Sequence, residues 1–357
     1  MALMLYLVGA RGAGKTAVFD ALAQTPEGLH CAVKGAHRLG TVKVPDARLA
    51  ALRDIFKPKK YIPAEVTFVD VAMGQHGGNG NGFAAMNAFL GEADAFALVV
   101  QLFGDVDAEG RTLDPVGQMD SVLLDLAMAD LEKIERRIEK INQELKRGLK
   151  QGLPELAVLE KCKAAIDEGK ALRDIELSAE EEKLVSSFCF LSRKRVLVVA
   201  NTPDSDVSGE ATCGALKAAC AERGLPVLAF CAPLEAEIAA LSAEDQAGFL
   251  ADYGIESPAR DRLIRAAYST LRLVSFFTVG EDEVRAWTIH EGDDAVTAAG
   301  KIHTDLARGF IRAETVPAEI LIEKKTHAAC REAGLLRLEG KGYVVKDGDV
   351  IEIRANA

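Results

Sequence analysis

The feature that most restricts this chain is the octapeptide Gly9-Ala10-Arg11-Gly12-Ala13-Gly14-Lys15-Thr16, which fits G-x-x-x-x-G-K-[ST]. An apolar run, Leu3–Val8, precedes it, and a helical pattern carrying Val18, Phe19 and Leu22 starts near Lys15. Strand, glycine-rich turn and helix in that order make a phosphate cradle. The glycines let consecutive amides turn inward, and the positive end of the helix attracts the same anion. Gly9, Arg11, Gly12, Ala13, Gly14, Lys15 and Thr16 are therefore expected to bind a nucleotide, ATP or GTP. Lys15 reaches between the β- and γ-phosphates as the catalytic charge, and Thr16 offers its hydroxyl to Mg²⁺. A glycine turn that merely packs is the bland alternative.

A triphosphate site also needs a carboxylate on the metal side. Asp70 ends a second apolar strand, Val66–Val69, from which it meets Mg²⁺ beside Thr16; as a plain residue it would cap the strand. After Val71-Ala72-Met73 the chain runs Gly74-Gln75-His76-Gly77-Gly78-Asn79-Gly80-Asn81-Gly82. A segment so rich in glycine is expected to order around a γ-phosphate and relax after hydrolysis. Gln75 is a candidate to position water and His76 a second catalytic candidate, with exposed loop residues as the competing reading of both.

Phe96–Val100, Val196–Val199 and Val227–Phe230 read as further buried strands, with a helix over Ala211–Ala221, which indicates an α/β fold with a mostly parallel sheet. Gly40–Val44 reads as an edge strand before the Pro45-Asp46 turn. Base recognition belongs at the ends of the later strands. Asn201 can hold the nucleotide loop and contact the base, and Asp204 can accept from guanine N–H donors or stand exposed in a turn. Cys231 and Ala232 either line the base pocket or simply end their strand.

Between these halves Leu124, Ala127, Leu131, Ile134, Ile138, Ile141 and Leu145 recur at intervals of three and four. After Gly148–Pro154 a second stripe, Leu156, Leu159, Cys162 and Ile166, resumes. An inserted helical hairpin explains both stripes better than an intermolecular coiled coil. Glu132–Lys150 holds seven basic and four acidic residues, either a solvated face or a contact for RNA phosphates or an acidic partner. Ser178 and Glu181 fit a capping box, and Ser257-Pro258 starts another helix. From about Phe276 the chain reads as a small β module: strands Val284–Ile289, Tyr343–Val345 and Val350–Ile353, and a helix over Ala295–Ile302. Trp287 is expected in its core, with RNA stacking as the alternative.

The whole chain has 357 residues, too many for one core near ~250–300 residues. Its net charge of -11 excludes a general polycation gripping nucleic acid by charge alone. Seven cysteines without a CxxC pair read as reduced, mostly buried thiols of a cytoplasmic protein. No leader peptide and no ~20-residue apolar span is evident, so no membrane partner is expected.

With these motifs in place, the chain resembles the YchF subfamily of Obg-like P-loop ATPases and GTPases. The stretches that carry the resemblance are DSVLLDLAMADLE (Asp120–Glu132), Leu177–Leu191, CAPLEAEIAAL (Cys231–Leu241), EVRAWTIHEGDDAVTAAGKIHTDLARGFIRAE and LEGKGYVVKDGDVIEI. The resemblance implies a nucleotide-binding G-like domain in two parts, 1–119 and 192–273. It further implies an inserted hairpin over 120–191 and a β-grasp TGS domain over 274–357. Slow ATP or GTP hydrolysis and a ribosome or RNA partner follow from it, for a chain expected to be monomeric; a catalytically degenerate adaptor or scaffold is the alternative. The departures cluster at the nucleotide. Gly12 replaces the Asn of the family's loop, Lys34 falls where the first switch carries Thr, Met73 replaces the Gly of D-x-x-G, and Asn201–Asp204 replaces N-x-x-E, with the backbone around Thr202 implied to contact the base.

Overall fold

The computed structural model describes residues 3–25, 28–29, 31–34, 37–71, 87–252 and 256–356. In chain order the elements used below are β1 (Leu3–Val8), α1 (Lys15–Ala23), β2 (Ala32–Lys34), β3 (His37–Lys43), α2 (Ala47–Phe56), β4 (Lys60–Ile62), β5 (Glu65–Asp70) and β6 (Ala95–Gln101). There follow α3 (Pro115–Lys146), α4 (Leu153–Asp167), α5 (Ala179–Val185), β7 (Arg195–Asn201), α6 (Gly214–Glu222), β8 (Val227–Phe230), α7 (Ala232–Ala240) and α8 (Ala259–Thr270). The last part holds β9 (Leu273–Val279), β10 (Glu283–His290), α9 (Ala295–Ile302), β11 (Phe310–Pro317), β12 (Arg337–Glu339) and β13 (Asp349–Ala355). The chain divides into two compact units: Leu3–Gly40 with Thr67–Arg260, and Thr41–Val66 with Asp261–Ala357.

Strands with apolar side chains on both faces must be covered on both faces, and the first unit obeys that rule. Its sheet runs β8-β7-β6-β1-β5-β3-β2. The pairs β8/β7, β7/β6 and β6/β1 are parallel, and every residue of β6 is buried. Parallel strands ending together bring the loops after β1, β5 and β7 to one rim, where α/β sheets hold their ligands. β2 folds back antiparallel on the outer side of β3, pairing Ala32 with Leu39 and Lys34 with His37, and this pairing stops short of Gly40–Val44.

The hairpin follows from the two apolar stripes. Ile134 and Ile141 of α3 share one buried cluster with Val158, Leu159, Cys162 and Ile166 of α4. Arg137 clamps the pair by donating two 2.7 Å bonds to the Glu155 carboxylate. The stripe was expected to begin at Leu124, but that residue is 59% exposed. The early turns of α3 instead bury Met119, Leu126 and Ala129 against the sheet core, and only later turns face α4. One helix has two partners on different sides, so a single heptad stripe cannot describe it. Leu159→Ala should therefore cost about 3 kcal/mol and Leu124→Ala less than about 0.5 kcal/mol in urea unfolding. Equal costs would refute this packing. The capping box is present: the Ser178 hydroxyl accepts from the Glu181 amide, and the Glu181 carboxylate accepts from the Ser178 amide.

The second unit contains a mixed sheet in the order β12-β11-β13-β9-β10-β4. β9 pairs antiparallel with β10 and parallel with β13, and β4, from far earlier in the chain, pairs parallel with β10. Helix α9 lays Ala295, Ala298 and Ala299 on the cluster around Phe276, Ile289 and Ile351. Small residues on that face let the helix approach the sheet closely. Trp287 stacks on Phe276 with ring centroids 6.4 Å apart and carries the Arg285 guanidinium 3.9 Å above its ring. The expected strand Tyr343–Val345 is reduced to an isolated bridge between Val344 and Asp294. The Tyr343 hydroxyl instead donates to Asp349 at 2.6 Å, which ties that segment down by its side chain. Among the described residues no helix is long and apolar enough to cross a membrane.

Candidate nucleotide site

The loop between β1 and α1 turns on its glycines. Gly14, at φ 89°, caps α1, and a Cβ there would lie 2.2 Å from the Asn201 amide nitrogen. At Gly9 a Cβ would meet the Val99 carbonyl oxygen at 2.3 Å. Side chains at either place would force the loop away from β6 and β7.

Lys15 folds back over this loop, its Nζ donating to the Gly9 and Ala10 carbonyls at 3.0 and 2.8 Å. Burial pushes the Lys15 ammonium below its ordinary pKa, and the nearby Asp70 carboxylate pulls it back up. The Thr16 hydroxyl donates to Asp70 Oδ2 at 3.0 Å. Asp70 is buried at the end of β5, whereas Thr16 and Arg11 are exposed. Two hard oxygens meet within one hydrogen bond of each other beside an ammonium, a donor set that suits a small oxygen-seeking dication next to phosphate.

The far wall comes from β7 and β8. Asn201 is buried; its Nδ2 donates to the Ala13 carbonyl at 3.1 Å, and its Oδ1 accepts from the Ala232 amide at 3.4 Å. One side chain therefore joins the first loop to the start of α7. Thr202 is also buried, its amide donating to the Phe230 carbonyl at 3.1 Å and its hydroxyl to Val207 O at 3.4 Å. The Cys231 thiol donates to Asp204 Oδ1 at 3.0 Å. Burial first, and that bond second, push the thiol up to about 12. A thiol so far from ionising reacts slowly. In folded protein Cys31 and Cys189, both exposed, should react quickly with Ellman's reagent at pH 8, and Cys231 only on unfolding. A fast Cys231 modification, located by peptide mapping, would contradict this arrangement.

The structure thus gathers Gly9, Gly12, Ala13, Gly14, Lys15, Thr16, Asp70, Asn201, Thr202, Asp204, Cys231 and Ala232 from four loops of the first unit. Gln75, His76 and the rest of Gly74–Gly82 lie outside the described residues, as does Met73. Lys34 ends β2, paired with His37. Sequence reasoning missed Arg38 on β3. Its Nη2 donates to Asp20 Oδ1 at 2.5 Å, and its Nη1 lies 3.8 Å from Asp70 Oδ2. No spacing rule flags it, because its partners come from α1 and β5. It also missed Ala108, whose side chain would lie 3.0 Å from a Cβ at Gly12.

Comparison with known proteins places the chain in a family. The ribosome-binding ATPase YchF of Bacillus subtilis is 38% identical over 368 aligned residues, spanning 100% of both chains. The chain belongs to the YchF family. A relative under the same name from Haemophilus influenzae is 37% identical over 98% of each chain. The family model YchF-GTPase_C, described as a protein of unknown function (DUF933), matches residues 273–356. The solved YchF GTPase of Schizosaccharomyces pombe superposes with a TM-score of 0.84 at 27% identity, covering 99% of this chain and 97% of that one. A GTP-binding protein from Pyrococcus horikoshii, 17% identical with a TM-score of 0.61, shares the fold. The first unit is therefore a P-loop NTPase fold, as the YchF resemblance implied.

Proposed function

We propose that this YchF protein binds a purine nucleoside triphosphate with Mg²⁺ and hydrolyses its γ-phosphate slowly, as a cytoplasmic factor that associates with the ribosome. The observation that carries the chemistry is the junction of Lys15, Thr16 and Asp70 at the mouth of the glycine loop. Mg²⁺ would supply positive charge against the phosphates. Thr16 and Asp70 would hold the metal; Lys15 would leave the Gly9 and Ala10 carbonyls for phosphate oxygens and stabilise the charge that develops on them. Amides of residues 9–16 would cradle the chain, and Gln75 or His76 would position the attacking water.

Asn201, Thr202, Asp204, Cys231 and Ala232 would form the base side of the pocket. The Cys231 thiol takes one lone pair of Asp204 Oδ1 and leaves the carboxylate further capacity to accept. The adenine preference rests on the relatives named as ATPases. The ribosome enters the proposal from the names of those relatives, and the hairpin 120–191 and a TGS-like module over 274–357 are the parts available for such contact, with residues 1–119 and 192–273 serving the nucleotide. The experiment is a competition titration of a fluorescent nucleotide with ATP and GTP in Mg²⁺, followed by phosphate release with and without ribosomes. ATP should compete more strongly, and ribosomes should raise turnover. Binding without turnover in either condition leaves a nucleotide-gated adaptor, and no binding to folded protein refutes the proposal.

A further inference from the structure

Arg38 stands beside the metal-side carboxylate yet belongs to no phosphate motif. Its guanidinium is held from three sides: by Asp20 at 2.5 Å, by the Phe19 ring 4.7 Å away, and by the Cys31 thiol. The 3.8 Å approach of Nη1 is to Asp70 Oδ2, the oxygen that also accepts from Thr16. Asp20 lies four residues after Thr16 on α1, so the two share one side of the helix. The same helix thus presents the metal-side hydroxyl and the clamp on a permanent cation.

We propose that Arg38 is a positioning cation that weakens the coupling between Mg²⁺ and nucleotide at this site. The inference rests on the nucleotide reading above. A dication held by Thr16 and Asp70 would lie within a few ångström of a fixed positive charge, which lowers its affinity. Without metal the same charge offsets Asp70, which would otherwise repel a triphosphate. Both effects act on the ratio in one direction: metal-free binding is strengthened, and the extra affinity that metal gives is reduced. An arginine suits this role because it stays charged at every accessible pH and its planar fork bonds one carboxylate while facing a second.

The test measures the dissociation constant of a fluorescent ATP analogue in EDTA and in saturating Mg²⁺, and takes the ratio. In Arg38→Gln and Arg38→Met that ratio should rise roughly five- to tenfold over wild type, while Arg38→Lys should stay within about twofold. The methionine variant keeps an apolar stem over Phe19 if the glutamine variant folds poorly, and circular dichroism melts report folding for each. An unmoved ratio in folded Arg38→Gln or Arg38→Met overturns the inference, as does Arg38→Lys behaving like them. If wild type binds no nucleotide in either buffer, the nucleotide reading itself fails and takes this inference with it. Binding with an unmoved ratio removes this inference alone.

Discussion

Lys15→Ala is expected to weaken binding of ATP with Mg²⁺ by about 100-fold or more, while the folded protein loses less than about 1 kcal/mol of stability. In the free site the ammonium donates to two neutral carbonyls at 3.0 and 2.8 Å. Carbonyls in a half-open loop find water when the ammonium is removed, so folding is little affected. Against phosphate oxygens the same donors make charge-assisted bonds of about 1.5–3 kcal/mol each, and two of them reach a hundredfold in affinity. The burial that depresses the Lys15 pKa strengthens the contact further, since an ammonium already stripped of water pays less to meet an anion. Fluorescence titration with a parallel thermal melt checks both halves. Affinity within about threefold of wild type would show that the loop does not use its lysine on phosphate.

The largest stability loss is expected at Asp130, outside the nucleotide loops. This residue of α3 has 0% exposure, and its carboxylate accepts from the Leu191 and Ser192 amides and the Ser192 hydroxyl at 2.7–2.8 Å. It ties the long helix to the segment entering β7. Burial pushes the carboxyl above its usual range, and the three donors work against that shift. Asp130→Ala strands three donors in a dry interior and should cost about 3–5 kcal/mol, or roughly 10 °C in melting temperature. Asp130→Asn keeps one acceptor oxygen but turns an amide toward a donor, so about half that loss is expected. A melting temperature within about 2 °C of wild type for the alanine variant would mean that these bonds are replaceable.

What was legible in advance was local. The strand–glycine loop–helix unit, the strands Val66–Val69, Phe96–Val100, Val196–Val199 and Val227–Phe230, the capping box at Ser178 and the two hairpin stripes all stand on spacing within a few turns of chain. Such patterns report a face or a bond to a near neighbour, and the fold keeps them. The misreadings share a different cause. Leu124 was placed on the wrong face because α3 changes partner along its length. Tyr343–Val345 looked like a strand but is anchored by a tyrosine hydroxyl.

The same division runs through the site. The sequence alone determined that a glycine-rich turn at Gly9–Gly14 joins a buried strand to a helix opening at Lys15 and that Asp70 ends a buried strand, since both depend on residue type and order along a continuous segment. Only the tertiary structure decided that Asn201 braces that loop through the Ala13 carbonyl, that Cys231 occupies one oxygen of Asp204, and that Arg38 sits beside Asp70. Those contacts join residues 27 to 188 positions apart, or three separate elements. The order of strands in the sheet sets them, and strand order leaves no periodic trace in the chain.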